Sequence, residues 1–402
     1  MAEQLLSGLK VVECGNLVSA PYLGKLLADL GAEVIKLEEP GGDAARGRGP
    51  FPGDTPHPEK SGLFLYLNAN KLGVTLNLRT PQGRGLLQSL CSRADLLIHN
   101  YRPPEMAGLG LDFDTLRRTN PGLIMTTISY FGCTGPYRDY HAFELTASNA
   151  GGWAFISPGA SDYADLPPLK AFGHQADFQG GVHAAVASLG AYYHRLLSGQ
   201  GQHVDVSIQE CIAAILEMNF THYTYAGNET SRLGRRSIFP WCMLDCQDGK
   251  LFVINVEEDQ WQRLVELMGS PEWASLEIFE DRVQRGLNYD ALFPLLQEWA
   301  ANWTVADLYK AGQERRICMA PVNTMADLFA SEHLKAREFF TTVSHQVAGT
   351  LDYPGAPFKV SEGGIETPRP APLLGEHNEA VYCGQVGLSG DELADLKHKG
   401  II

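Results

Sequence analysis

Leu9-Lys10-Val11-Val12-Glu13-Cys14, a turn at Gly15-Asn16, an apolar-periodic stretch marked by Tyr22, Leu23, Leu26, Leu27 and Leu30, and then Val34-Ile35-Lys36-Leu37 decide the class of this fold. The two short runs are β-branched and apolar, as strands are. Between them the apolar residues recur at three and four, as on one face of a helix. Strand, helix, strand implies two parallel strands joined by a right-handed crossover. The alternation continues through Val74 to Leu78, a helix from Pro81 to Arg93, Asp95 to Asn100, and Leu123 to Ser129. The first third is therefore expected to be an α/β, Rossmann-like parallel sheet.

Outward from that core, Thr134 to Leu169 turns to Gly, Pro, Ser and aromatics. Val182, Ala185, Val186, Leu189, Tyr192, Tyr193 and Leu196 then predict an amphipathic helix. A strand from His203 to Ile208 and a long apolar helix through Met218 follow. Residues 1–222 read as the first part of a large domain, 223–237 as a linker, 238–330 as a smaller α+β domain, and 331–402 as a return that completes the large one. In the small domain, Met243 to Ile254 predicts a hairpin turning at Asp248-Gly249. Pro354 to Pro372 is Pro- and Gly-rich and predicts an extended surface run.

The chain of 402 residues is 44% hydrophobic, enough for more than one core. Its 32 Lys+Arg against 47 Asp+Glu give a formal charge of -15, which argues against non-specific binding to nucleic acid or an anionic membrane. Charged residues or glycines interrupt every apolar run before membrane-spanning length, and Met1 to Leu9 has no basic region ahead of an apolar one. A soluble, cytoplasmic protein is expected. Of the eight cysteines only Cys242 and Cys246 are near neighbours, without a second pair at zinc spacing, so no metal is expected.

Glu38 ends the second strand where a ribose-binding acid would sit, yet the dinucleotide fingerprint needs glycine where Leu17 and Ala20 stand. Around Gly24-Lys25 the phosphate-binding loop fails too, with Ser19 for its first glycine and Leu26 for its hydroxyl residue. There is no Gly-x-Ser-x-Gly elbow, and Cys133 has no evident His partner. What remains is a carboxylate, Asp177, in Gly173-His174-Gln175-Ala176-Asp177-Phe178-Gln179-Gly180-Gly181. It is either a cap for the helix expected from Val182 or a nucleophile. In the second case Gly180 and Gly181 would let a thioester carbonyl come close to free backbone amides.

These segments, with Leu26-Leu27-Ala28-Asp29-Leu30-Gly31-Ala32-Glu33, Gly41-Gly42-Asp43, Leu67-Asn68-Ala69-Asn70-Lys71, Asn100-Tyr101-Arg102-Pro103, Gly132 to Pro136, Ala320-Pro321-Val322 and Pro372 to His377, resemble the family III CoA-transferases over essentially the whole chain. The 2-methylacyl-CoA racemases are a sister branch. The resemblance implies a large Rossmann-like domain with a smaller one, an interlocked homodimer, and acyl-CoA and a small carboxylic acid as substrates, with no permanently bound cofactor. It places the family's catalytic aspartate on Asp177, as covalent carrier through anhydride and aspartyl-CoA thioester intermediates.

The same resemblance carries Val18, Arg46, Lys71, Asn100, Tyr101 and Arg102 over as CoA contacts, and Glu144 as support for the active-site loops. Lys71 and Arg102 would meet phosphates, or else be solvated surface charges. The racemases' second base falls on Phe143, with His141 two residues earlier, which leaves the isomerase as one alternative; a CoA-binding protein without turnover is another. Glu39 and Cys133 depart from residues usual in the family, leaving the adenosine contact and the acyl pocket open.

Overall fold

The computed structural model describes residues 4–157, 166–232, 238–364 and 368–402. The chain divides into two compact units, the larger made of residues 1–157, 168–229 and 338–402, the smaller of 158–167 and 230–337. The expected linker, 223–237, lies partly outside the described residues.

In the larger unit, strands β1 (Lys10–Glu13), β2 (Glu33–Glu38), β3 (Leu72–Thr75), β4 (Leu96–His99), β5 (Ile124–Ser129) and β6 (His203–Ser207) all pair in parallel, in the order β3-β2-β1-β4-β5-β6. Helices α1 (Ser19–Asp29), α2 (Gly62–Asn68), α3 (Pro81–Cys91), α4 (Pro103–Leu109), α5 (Phe113–Leu116), α6 (Glu144–Ala150) and α7 (Gln175–Ser198) lie in the connections. Because successive strand residues face opposite sides, the sheet feeds two cores. Val12, Ile35 and Leu97 pack with Leu87 of α3 and with Ile401 at the chain's end, while Val11, Val34 and Leu96 pack with Leu23 and Leu27 of α1 and Ala184 of α7. The strand order reverses between β1 and β4, so a crevice opens where the loops after these two strands part.

Helix α7 departs from expectation twice. It begins at Gln175, not Val182, and runs through Gly180-Gly181, both buried. A Cβ on Gly180 would stand 2.8 Å from Ile208, and one on Gly181 2.9 Å from the Ser19 carbonyl. The space beside these glycines therefore admits neighbouring helices rather than a ligand. Secondly, the face turned inward is the small one, Ala184, Ala185, Ser188 and Ala191, while Val186, Tyr193 and Leu197 are 70%, 66% and 74% exposed. Small side chains let α7 lie close on the sheet and α1, so the large apolar residues point away.

After β6, the single long helix expected is broken into α8 (Ile208–Ala214) and α9 (Glu217–Ala226), and α9 takes up the start of the expected linker. The smaller unit holds an antiparallel sheet of β7 (Trp241–Asp245), β8 (Lys250–Ile254) and β9 (Met319–Pro321), over a core that includes Phe239, Leu244, Leu251, Trp261 and Leu296. Its hairpin turns at Gln247-Asp248, because the Cys246 N–H donates to the Gly249 carbonyl at 2.8 Å. The turn lies one residue earlier than predicted, and the Asp248 side chain accepts the Val305 N–H at 2.8 Å. A further hairpin, β10 (Phe340–His345) with β11 (Gly349–Pro354), belongs to the larger unit.

Candidate active site

Asp177 occupies the third position of α7, not its cap. The N-cap is His174, whose side chain makes no capping bond. The carboxylate is buried, 4% exposed, at a helix start where the axial dipole favours negative charge. Its Oδ2 lies 3.0 Å from His174 Nδ1. From the loop after β5, Tyr130 turns its hydroxyl to the same carboxylate. The hydrogen bond to Asp177 raises the His174 pKa above its usual value, and burial with the Asp177 charge keeps Tyr130 protonated.

Glu144, the first residue of α6, steadies this turn from outside. Its Oε1 accepts the Ala176 N–H at 3.2 Å and the Ser148 hydroxyl at 3.1 Å, and its Oε2 pairs with Lys170 at 2.8 Å. Lys170 in turn donates to the Gly173 carbonyl at 2.6 Å. One of the helix's orphan amides and the loop that enters it are thus held by one buried carboxylate.

At the crevice between β1 and β4, Asn100 accepts the Asn16 N–H at 2.8 Å and donates to the Asn16 carbonyl at 2.7 Å and to Ser19 Oγ at 3.0 Å. Asn100, Arg102 and Ser19 line a cavity of about 130 Å³ with Tyr130, Phe131, Arg138, His141 and Phe143. Tyr130 joins this cavity to Asp177. Arg102 is paired to Glu105 at 2.8 Å, and its Nη1 lies 2.9 Å from His141 Nε2. Tyr101 follows Asn100, half-buried against the β1–β3 core.

The other candidates sit deeper. Val18 is fully buried as the N-cap of α1, after Leu17, whose φ of 60° is a glycine-like conformation held by a leucine. Arg46, carried over as a CoA contact, forms a two-pronged bond to Glu38 at 2.6 and 2.8 Å and pairs with Glu59 at 2.6 Å. Glu38, the would-be ribose acid, is consumed by that pair. Lys71 is neither a solvated charge nor directed at a ligand: its ammonium meets Glu13 at 2.7 Å, the Pro21 carbonyl at 2.8 Å and Asn68 at 2.9 Å. Burial pulls its pKa down to about 8 against the attraction of Glu13. The resemblance carried both over as CoA contacts, yet the charge of each is met by carboxylates of the protein itself.

Tyr130, His174 and Lys170 were missed. A helix starting at Gln175 would have set His174 one turn from Asp177, but Gly180-Gly181 hid that start. Among the described residues no three His, Cys, Asp or Glu side chains converge as metal ligands would, and no helix is long and apolar enough to cross a membrane.

The sequence model of CoA-transferase family III matches residues 6–378. The chain belongs to that family. It is 33% identical to succinyl-CoA–D-citramalate CoA-transferase of Chloroflexus aurantiacus over 99% of this chain and 98% of that protein. It is 32% identical to formyl-CoA:oxalate CoA-transferase of Streptomyces coelicolor over the full length of both. Among solved structures, a CAIB/BAIF family protein from Brucella suis superposes with a TM-score of 0.85 at 30% identity, over 95% of this chain and 99% of that one. This family III protein is an enzyme, a CoA-transferase.

Proposed function

We propose that the enzyme moves CoA from a donor acyl-CoA to a small carboxylic acid, with Asp177 as covalent carrier. The observation that carries this reading is the placement of Asp177: a buried carboxylate at a helix start, held by His174 and Tyr130 beside a crevice of Rossmann topology. An Asp177 oxygen attacks the donor carbonyl, the C–S bond breaks, and CoA thiolate leaves an aspartyl anhydride. The thiolate attacks Asp177 Cγ, releasing the donor acid and leaving an aspartyl-CoA thioester. The acceptor carboxylate attacks the same Cγ and expels the thiolate. Finally the thiolate takes the acceptor's acyl carbon and frees the Asp177 carboxylate. Each step conserves an activated acyl bond, so no phosphoanhydride is spent, and one hard exchange is divided into easier ones.

The relatives' names supply the first pairs to try: succinyl-CoA with a hydroxy-dicarboxylic acid, and formyl-CoA with oxalate. Asn100, Tyr101 and Arg102 are proposed to meet CoA at the crevice. Arg46, Lys71 and Val18 then act on it only through the loops they hold. A racemase needs a base facing Asp177 across the substrate; the histidine in contact with it comes from its own helix turn, and Phe143 cannot exchange a proton. The exposed apolar faces of α7 and α9, with Val186, Leu197, Phe220 and Tyr225 outward, support a homodimer. Eight cysteines, none of them in a disulfide, fit a reducing compartment such as the cytoplasm.

The test is intact-mass and peptide analysis after mixing with succinyl-CoA or formyl-CoA and quenching with hydroxylamine. A hydroxamate on Asp177, absent in Asp177→Ala, is expected. CoA exchange undiminished in a folded Asp177→Ala enzyme would end this reading, and light scattering that finds only monomer would end the dimer.

A further inference from the structure

In the proposed cycle Asp177 is more than a nucleophile. Twice, when thiolate attacks the anhydride and when the acceptor attacks the thioester, its own Cγ is the electrophile, and negative charge develops on the Asp177 oxygen that is not being exchanged. That oxygen needs donors already in place, and donors fixed before the reaction are the strongest stabilisers of such charge. His174 Nδ1 is 3.0 Å from Oδ2, and the Tyr130 hydroxyl is turned to the same carboxylate from a different element.

We infer that His174 and Tyr130 form an oxyanion site built around the enzyme's own aspartate: His174 holds Oδ2 and so leaves Oδ1 as the attacking oxygen, Tyr130 reaches the same carboxylate, and the two stabilise the oxyanion each time Cγ is attacked. The inference rests on Asp177 being the carrier. No proton is transferred; both donors keep theirs, and the charge that appears on Oδ2 is handed to the departing carboxylate or thiolate as the carbonyl reforms.

Two placements favour this role over a merely structural one. His174 is 38% exposed at its side chain while Asp177 is 6% exposed, so the donor stands between solvent and the reacting atom. Tyr130 also lines the crevice cavity, so one residue touches both the carrier and the space where a thioester would approach. The charges facing His174 are Asp177, Glu144 and Lys170; those facing Tyr130 are Asp177 and Glu144. The carboxylates favour an imidazolium at His174, which makes its bond to Oδ2 charge-assisted.

The probe is exchange of labelled succinate into succinyl-CoA. His174→Ala is expected to lower kcat roughly 100-fold and Tyr130→Phe roughly 10-fold, with KM for succinyl-CoA within about threefold of wild type. His174→Gln keeps a donor and should recover part of the loss, while losing the fall in rate that is expected in wild type as His174 deprotonates above pH 6.5. Should succinyl-CoA turn over too slowly, an NMR titration of the His174 ring, assigned by its absence in His174→Gln, decides without substrate. Its midpoint should lie above 6.5 and drop in Asp177→Asn. Exchange within twofold of wild type and an unchanged pH profile in both His174→Ala and Tyr130→Phe, or a His174 midpoint indifferent to Asp177→Asn, would overturn the oxyanion site and leave Asp177 as carrier untouched. Full exchange in Asp177→Ala would instead remove the carrier itself.

Discussion

The Glu144 carboxylate accepts the backbone N–H of Ala176 at 3.2 Å, so α6 closes the first turn of the helix that carries Asp177. Removing that acceptor strands a buried amide and takes the counter-charge from the Lys170 ammonium. Glu144→Ala should cost about 1–3 kcal/mol of stability and lower turnover by displacing the Asp177 turn. Glu144→Gln keeps the acceptor and should cost less. Urea denaturation of the two variants against wild type checks the order, and equal midpoints would refute it.

The glycines of α7 are not equivalent. A Cβ on Gly181 meets the Ser19 carbonyl at 2.9 Å and Tyr22 at 3.0 Å, whereas one on Gly190 meets nothing within 4 Å. Gly181→Ala should destabilise by about 1–3 kcal/mol through overpacking. Gly190→Ala should stabilise by up to about 1 kcal/mol, because alanine restricts the unfolded chain and suits a helix. Opposite shifts in thermal midpoint are expected; shifts of the same sign would refute the packing argument.

Glu13 serves two lysines, with Lys36 Nζ at 3.1 Å from Oε1 and Lys71 Nζ at 2.7 Å from Oε2, all three side chains fully buried. Glu13→Gln takes the counter-charge from buried Lys71, while Lys36 keeps Asp43 at 2.6 Å, and breaking a buried pair in this way costs about 3–5 kcal/mol. Lys71→Met leaves Glu13 still paired to Lys36, and removes an ammonium that burial already disfavours. Its cost should be smaller. Guanidinium unfolding curves give the comparison, and a Lys71→Met variant less stable than Glu13→Gln would contradict it.

Acid should loosen the fold below neutrality through His99. Burial, with the His203 charge adding to it, lowers its pKa from 6.5 to about 3, and its Nε2 bonds Thr127 Oγ1 at 2.9 Å. Between those values the unfolded chain holds a proton that the folded one does not, so stability falls as pH drops from 6.5 towards 3. His203 is also lowered by burial and adds the same sign. His174 is raised, so its contribution is lost above pH 6.5, in a separate window. Thermal midpoints at pH 7 and pH 4.5 should converge in His99→Gln relative to wild type; an unchanged gap would refute the assignment.

Much of the larger unit was legible because it is written locally. Val11-Val12 and Val34-Ile35 read as strands, and Leu23, Leu27 and Leu30 as a helix, since period-two and period-3.6 burial need only near neighbours. The candidate carrier was legible as a motif around Asp177. Its partners were not: Tyr130 lies 47 residues away in sequence, and His174 was hidden behind an expected break at Gly180-Gly181.

By itself the sequence determined the α/β class, the parallel crossovers and the family to which Asp177 belongs, because each depends on spacing along the chain. The tertiary structure alone decided which face of α7 is buried, that Lys71 and Arg46 are internal, and that His174, Tyr130 and Glu144 converge on one helix turn. The reason is physical. A glycine's tolerance, a lysine's burial and a carboxylate's partners depend on what another element brings within about 3 Å, and no stretch of sequence states what that will be.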